Sequence, residues 1–164
     1  MIEIYTDGSC SLNSVKDINN NGKGGFGVVV VENGVDTLEH FGCYSSTTNN
    51  RMELRAVLTA MEIANKNFPN QPYTIYSDSA YVVNCFENKW YENWLKRGWK
   101  KAKGEPVLNT DLWKPIIHNY HKNKNLITIK KVEGHAGVHF NERADTIANK
   151  WRELNDENFS VDQK

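Results

Sequence analysis

The sequence predicts an α/β domain in which a mixed five-stranded sheet, three antiparallel strands followed by two parallel ones, is flanked by helices. Two patterns predict it. The first third alternates with the period of strands around the hairpin pair Asn33-Gly34, and from residue 50 onward helical segments alternate with short β-rich runs. Size agrees, because 164 residues with 39% hydrophobic content suffice for one core.

Ile2 and Ile4 alternate with Glu3 and Tyr5 in a first strand that stops at Gly8 and presents Asp7 at its terminus. Gly24-Gly25-Phe26-Gly27 leads into the run Val28 to Val31, the Asn-Gly pair reverses the chain, and residues 37–44 return as a third strand. Residues 50–67 read as a helix with Glu53, Val57, Ala60 and Ala64 on one stripe and Leu54, Met61 and Phe68 beside it, ended by Pro69 and Pro72. Residues 73–77 form a strand closed by Asp78, and residues 79–88 a helix through Val82, Val83 and Phe86. A helix over 111–122 and a strand over 126–132 follow. Residues 134–140 are expected as a loop, and 141–154 as a final helix turning Ala144, Ile147, Ala148, Trp151 and Leu154 inward. One domain is expected over 1–154, with a polar, frayed tail over 155–164.

Twenty basic and twenty acidic residues cancel, so the net field announces no nucleic-acid partner and only local charge can argue for one. Cys10, Cys43 and Cys85 lie far apart without a Cys-x-x-Cys pair, which argues against a disulfide framework and a thiolate zinc site and fits a reducing cytoplasm. With no basic and apolar leader and no apolar run of membrane length, no membrane partner is expected.

Asp7, Glu53, Asp78 and Asp145 each stand at a strand end or a helix start, and each has a local explanation. Asp7-Gly8 is an ordinary turn pair, Glu53 completes a capping box with Asn50, Asp78 suits an N-cap, and Asp145 complements the dipole early in the last helix. Together they say more, because strand ends and helix starts of an open sheet converge at one edge. Clustered carboxylates repel and take up protons unless a counter-charge joins them. Ligation by oxygen alone, with a formal charge of about four minus, fits two hard divalent ions, Mg2+ or Mn2+. Two such ions about 4 Å apart are the clamp for in-line hydrolysis of phosphodiesters.

Zinc between His135 and His139 is disfavoured by Gly137 and the lack of an acidic partner. The dinucleotide-like run Gly22 to Gly27 opens a strand, not a helix, and is treated as accidental. Residues 93–104 concentrate Lys96, Arg97, Lys100, Lys101 and Lys103 without an acid, and Trp90, Trp94 and Trp99 add flat faces for sugars or bases. For Trp99 and Trp113, core packing is the preferred expectation.

Thr6-Asp7-Gly8-Ser9-Cys10, Thr47-Thr48-Asn49-Asn50-Arg51-Met52-Glu53-Leu54, Ser77-Asp78-Ser79, Gly134-His135-Ala136-Gly137 and Asn141-Glu142-Arg143-Ala144-Asp145 resemble, in this order, the motifs of type 1 ribonuclease H, close to the bacterial form. The resemblance implies a ribonuclease H-like fold and endonucleolytic cleavage of the RNA strand of an RNA/DNA hybrid, leaving 5′-phosphate and 3′-hydroxyl ends. It implies metal binding by Asp7, Glu53, Asp78 and Asp145, and a loop histidine, His135, that assists proton transfer or product release. It also implies that the basic segment grips the DNA strand, with Trp90 and Trp94 lining its channel and Thr48 and Asn109 on a phosphate. Cys10, Asn13, Asn49 and Asn50 would face the RNA strand, where discrimination requires contact with the 2′-hydroxyl.

Two positions depart from the bacterial pattern: Ala80 stands where Gln is common, and the segment after Asn13 is longer and poorer in Pro and Gly. The substrate expected is an RNA/DNA hybrid and the protein a monomer. The alternatives are a non-catalytic hybrid-binding module of the same fold and a strand-transfer enzyme, although one 164-residue domain leaves no room for the extra DNA-binding domains of the latter.

Overall fold

The computed structural model describes residues 1–11, 22–132 and 134–163, without the side chains of 134–137. Asn13 and the segment after it lie outside the described residues. Strands β1 (Ile2–Cys10), β2 (Lys23–Glu32) and β3 (Val35–Ser45) form the antiparallel meander, followed by α1 (Asn49–Asn67), β4 (Tyr73–Ser77), α2 (Ala80–Glu87), α3 (Trp90–Lys96), α4 (Thr110–Lys122), β5 (Ile127–Lys131) and α5 (Gly134–Ala148). The chain ends with 3-10 turns at Asn149–Glu153 and Asp156–Asn158 and a two-residue strand, β6 (Ser160–Val161). Among the described residues the sheet has six strands, in the order β5-β4-β1-β2-β3-β6, one more than expected. As expected, β4 and β5 run parallel to β1; β6 joins β3, also in parallel.

Strand β2 is buried along nearly its whole length, because helices cover both faces of the sheet. On one face Ile4, Val28, Val30 and Ile75 pack with Leu54, Met61, Trp113 and Ile116 in the main core. On the other, Tyr5, Val29 and Val31 meet Ala144 and Ile147 of α5, with Phe140 and Phe41 at the margin. Trp113 is fully buried, and Trp99 is partly buried against the same core.

The tail expectation is overturned. Val161 pairs with Ser45, and the peptide N–H of Asp162 donates to the Ser45 carbonyl at 2.9 Å. The Asp162 side chain is wholly buried against Arg51 at 2.7 Å and Arg55 at 2.6 Å. A single carboxylate with two guanidiniums and an edge strand to join orders a segment that shows no apolar period. Residues 134–140 are helical, not a loop: two glycines weaken a helix by roughly 1 kcal/mol each, yet α5 is continuous with the face that seats Phe140 5.4 Å from the Tyr5 ring. Leu154, expected inward, is 37% exposed beyond the last turn. Among the described residues no helix is long and apolar enough to cross a membrane.

Candidate functional site

Asp7 lies on β1 opposite Gly27 of β2. Tyr5 pairs with Tyr76 on the parallel neighbour β4, so two residues further on Asp7 stands level with Asp78, which follows the end of β4; β1 itself runs on to Cys10 instead of stopping at Gly8, so Asp7 lies within its strand. Period-2 alternation turns Asp7 to the same face as Tyr5, toward α5, while Gly8 faces α1.

Two glycines let the helices close on this point. A Cβ at Gly8 would lie 2.4 Å from the Glu53 backbone nitrogen and 2.8 Å from its Oε1, so only glycine lets the first turns of α1 press Glu53 against β1. A Cβ at Gly27 would lie 2.5 Å from the Ala144 carbonyl, so its absence seats α5 on the sheet and brings the adjacent Asp145 to Asp7. Carboxylate oxygens of Asp7, Glu53 and Asp78 all lie within 4.8 Å of one another. Asp7 and Glu53 are buried at the base; Asp78 and Asp145 are exposed at the rim.

The local explanations for these acids fail. Thr48 caps α1, its hydroxyl accepting from the Arg51 N–H at 3.3 Å, so Glu53 closes no capping box with Asn50. Ser79, not Asp78, caps α2. Asp145 sits near the C-terminal end of α5, where the helix dipole disfavours an anion.

The electrostatics are those of an uncompensated acidic site. Burial, then the neighbouring Glu53, Asp145 and Asp78, push the Asp7 carboxyl up to about 10. Burial and Asp78 push Glu53 up to about 8, partly offset by hydrogen bonding from Asp7, the Gly8 backbone and Ser79. Among the described residues Glu53 Oε1 is buried with no hydrogen-bond partner. A buried acceptor left unpaired beside other carboxylates fits a hard divalent cation, which would satisfy the oxygen and replace the bound protons.

Asn149, which sequence reasoning missed, donates to Asp145 Oδ1 at 3.2 Å and accepts from the Ser9 hydroxyl at 2.5 Å, tying the rim of α5 to β1. Its position one helical turn after Asp145 was the available signal. Asn141 donates to Asp78 at 3.4 Å. His135 falls in the first turn of α5, but its side chain is outside the described set.

The remaining expected contacts divide into two groups. Cys10 is buried at the end of β1 with its thiol toward the Thr47 carbonyl at 3.5 Å, while Asn49 and Asn50 lie in the first turn of α1, with Asn50 exposed. Lys96, Arg97, Lys100 and Lys101 are exposed on and after α3, Trp90 is 36% exposed, and Trp94 is half-buried edge-on to Trp113. Thr48 and Asn109 are engaged internally: Thr48 is 2% exposed, and Asn109 accepts from Arg51 at 3.2 Å and donates to the Tyr81 hydroxyl at 3.3 Å. Arg51, buried in this web, was not singled out in the sequence; a charged side chain at a core-facing helical position was the sign.

The RNase H family model matches residues 1–153. The ribonuclease H of Syntrophomonas wolfei is 42% identical over 147 residues, covering 90% of this chain and 92% of that protein. That of Pseudomonas fluorescens strain Pf-5 is also 42% identical, covering 91% and 90%. The solution structure of the PFV RNase H domain superposes with a TM-score of 0.73 at 26% identity, covering 91% of this chain and 92% of that one. LC11-RNase H1, solved with an RNA/DNA hybrid, superposes with a TM-score of 0.66 at 22% identity, covering 92% and 95%, a likeness of fold alone.

Proposed function

The chain belongs to the ribonuclease H family, and from that premise we propose that it is an endonuclease that hydrolyses the RNA strand of RNA/DNA hybrids, leaving 5′-phosphate and 3′-hydroxyl ends. The observation that carries this reading is the close approach of the Asp7, Glu53 and Asp78 carboxylates with Glu53 Oε1 unpaired. Asp7, Glu53, Asp78 and Asp145 would hold two divalent ions, Mg2+ with Mn2+ as substitute. When bound, such ions activate water and stabilise the leaving oxygen.

The chain's own residues supply the rest. Gly8 and Gly27 keep the two buried and two rim carboxylates converged, and Asn149 and Asn141 orient the rim pair. Asn49, Asn50 and the Cys10 end of β1 are proposed to meet the RNA strand, with Asn13 beside them. The exposed cations Lys96, Arg97, Lys100 and Lys101, flanked by Trp90 and Trp94, are proposed to hold DNA phosphates. His135 is proposed to assist proton transfer or release. Thr48 and Asn109, both oriented by hydrogen bonds from Arg51, are proposed to hold a DNA phosphate. A monomer acting in the cytoplasm completes the proposal.

A labelled hybrid, single-stranded RNA and duplex DNA, each titrated with Mg2+ and Mn2+, test it. The expected result is cleavage of the hybrid's RNA strand alone, lost in Asp7→Asn. Binding of the hybrid without turnover in either metal, or cleavage intact in Asp7→Asn, would overturn it.

A further inference from the structure

The ion cluster under the C-terminal strand lies beside the turn that leads into α1. The buried Asp162 carboxylate accepts five hydrogen bonds: from the Thr47 hydroxyl at 2.7 Å, Arg51 at 2.7 and 3.0 Å, and Arg55 at 2.9 and 2.6 Å. Thr47 precedes and Arg51 follows residues 48–50, so one carboxylate grips both ends of the turn that carries Asn49 and Asn50. The other edge of the Arg51 guanidinium meets Asp111 at 2.9 and 2.6 Å and Asn109 at 3.2 Å, so the same cation ties this turn to the start of α4. Arg55 lies 4.0 Å over the Tyr44 ring and donates to its hydroxyl at 3.2 Å, closing the cluster against β3.

Glu53 is held differently. Met52 and Leu54 on either side are fully buried in the main core, and its backbone is pressed against Gly8. Losing Asp162 therefore loosens residues 47–50 while the acidic centre stays seated.

We propose that Asp162, which immediately follows β6, is a positioning residue that locks the turn over residues 47–50 into the conformation that receives the nucleic-acid substrate. This rests on the hybrid-nuclease reading above. The C-terminal strap thus acts on substrate affinity and not on the chemical step.

The test is steady-state cleavage of a labelled hybrid by full-length wild type, Asp162→Asn, Asp162→Glu and Thr47→Val, at a temperature where each is folded by circular dichroism. Asp162→Asn should raise KM about tenfold, and Thr47→Val about threefold, with kcat and the Mg2+ concentration dependence within about twofold of wild type. Asp162→Glu, which restores the charge, should recover part of the KM. If Asp162→Asn does not fold, Thr47→Val decides, because it removes only one hydroxyl from the latch. A lower melting temperature with unchanged KM in the folded variants would make the strap merely structural and overturn the proposal, as would a fall in kcat matching the rise in KM. Wild type that fails to cleave the hybrid would instead overturn the functional reading on which the proposal rests.

Discussion

Replacing Asp7 by Asn should make the metal-free protein more stable while abolishing its activity. Burial and three neighbouring carboxyls hold Asp7 protonated up to about 10, against an ordinary value of 3.8. Below pH 3.8 both folded and unfolded chains carry this proton and Asp7 adds no pH dependence. Above it the unfolded chain releases the proton and the folded chain keeps it, so stability falls as pH rises through the window and the loss is complete only above about 10. Each pH unit contributes about 1.4 kcal/mol, which by pH 7 reaches about 2–4 kcal/mol, since Asp7 and Glu53 share the proton load. Asparagine titrates nowhere in this range, and its amide can donate toward Glu53 or Asp145 as the protonated acid does. Urea unfolding in chelator at pH 5, 7 and 8.5 should show wild type losing stability with pH and Asp7→Asn following a shallower line above it. Excess Mg2+ should then stabilise wild type by mass action and leave the variant unchanged. A variant less stable than wild type at pH 7 in chelator, or a wild-type profile flat with pH, would refute the electrostatic account.

Gly8→Ala should cost about 1–3 kcal/mol by driving α1 from β1, visible as a lower melting temperature, and should depress cleavage further than the stability loss explains, because Glu53 moves with the helix. Lys100→Ala combined with Lys101→Ala should weaken hybrid binding and flatten the slope of log affinity against log salt by about two, with kcat preserved; fluorescence anisotropy across a salt series measures it. Asp162 and Asp111 are both held below the usual carboxylate value. Their contribution to stability is present above that value and is lost as pH falls through their lowered ones, so the amides at β6 should lose protection against hydrogen exchange at acid pH before those of the main core do. Trp113→Ala, at a fully buried position, should cost about 3–5 kcal/mol, read from chemical denaturation.

The elements with strong periodicity are legible in the sequence. The meander, α1 with its Glu53 stripe, the strand at Tyr73–Ser77 and the inward residues Ala144, Ile147 and Ala148 all follow from apolar spacing, because burying those side chains is what stabilises the elements. Asp162 was not legible. A polar tail carries no period, and its order comes from two arginines more than 100 residues away, whose partners no local window contains. The helical start of α5 was missed because glycine propensity is local, while the packing of Phe140 on Tyr5 is not.

For the acidic centre, the sequence by itself determined which four carboxylates were in question, since their places along strands and helix turns can be read from residue order. The tertiary structure decided that they are not caps or dipole partners. Thr48 and Ser79 take the caps, and Asp145 lies at the wrong end of its helix. It also decided how near they come, through two missing side chains: without a Cβ at Gly8 and Gly27, α1 and α5 approach β1 from opposite faces closely enough for their acids to meet Asp7. Distance in space is set by packing of segments remote in sequence, and repulsion among carboxylates acts only once that packing has formed.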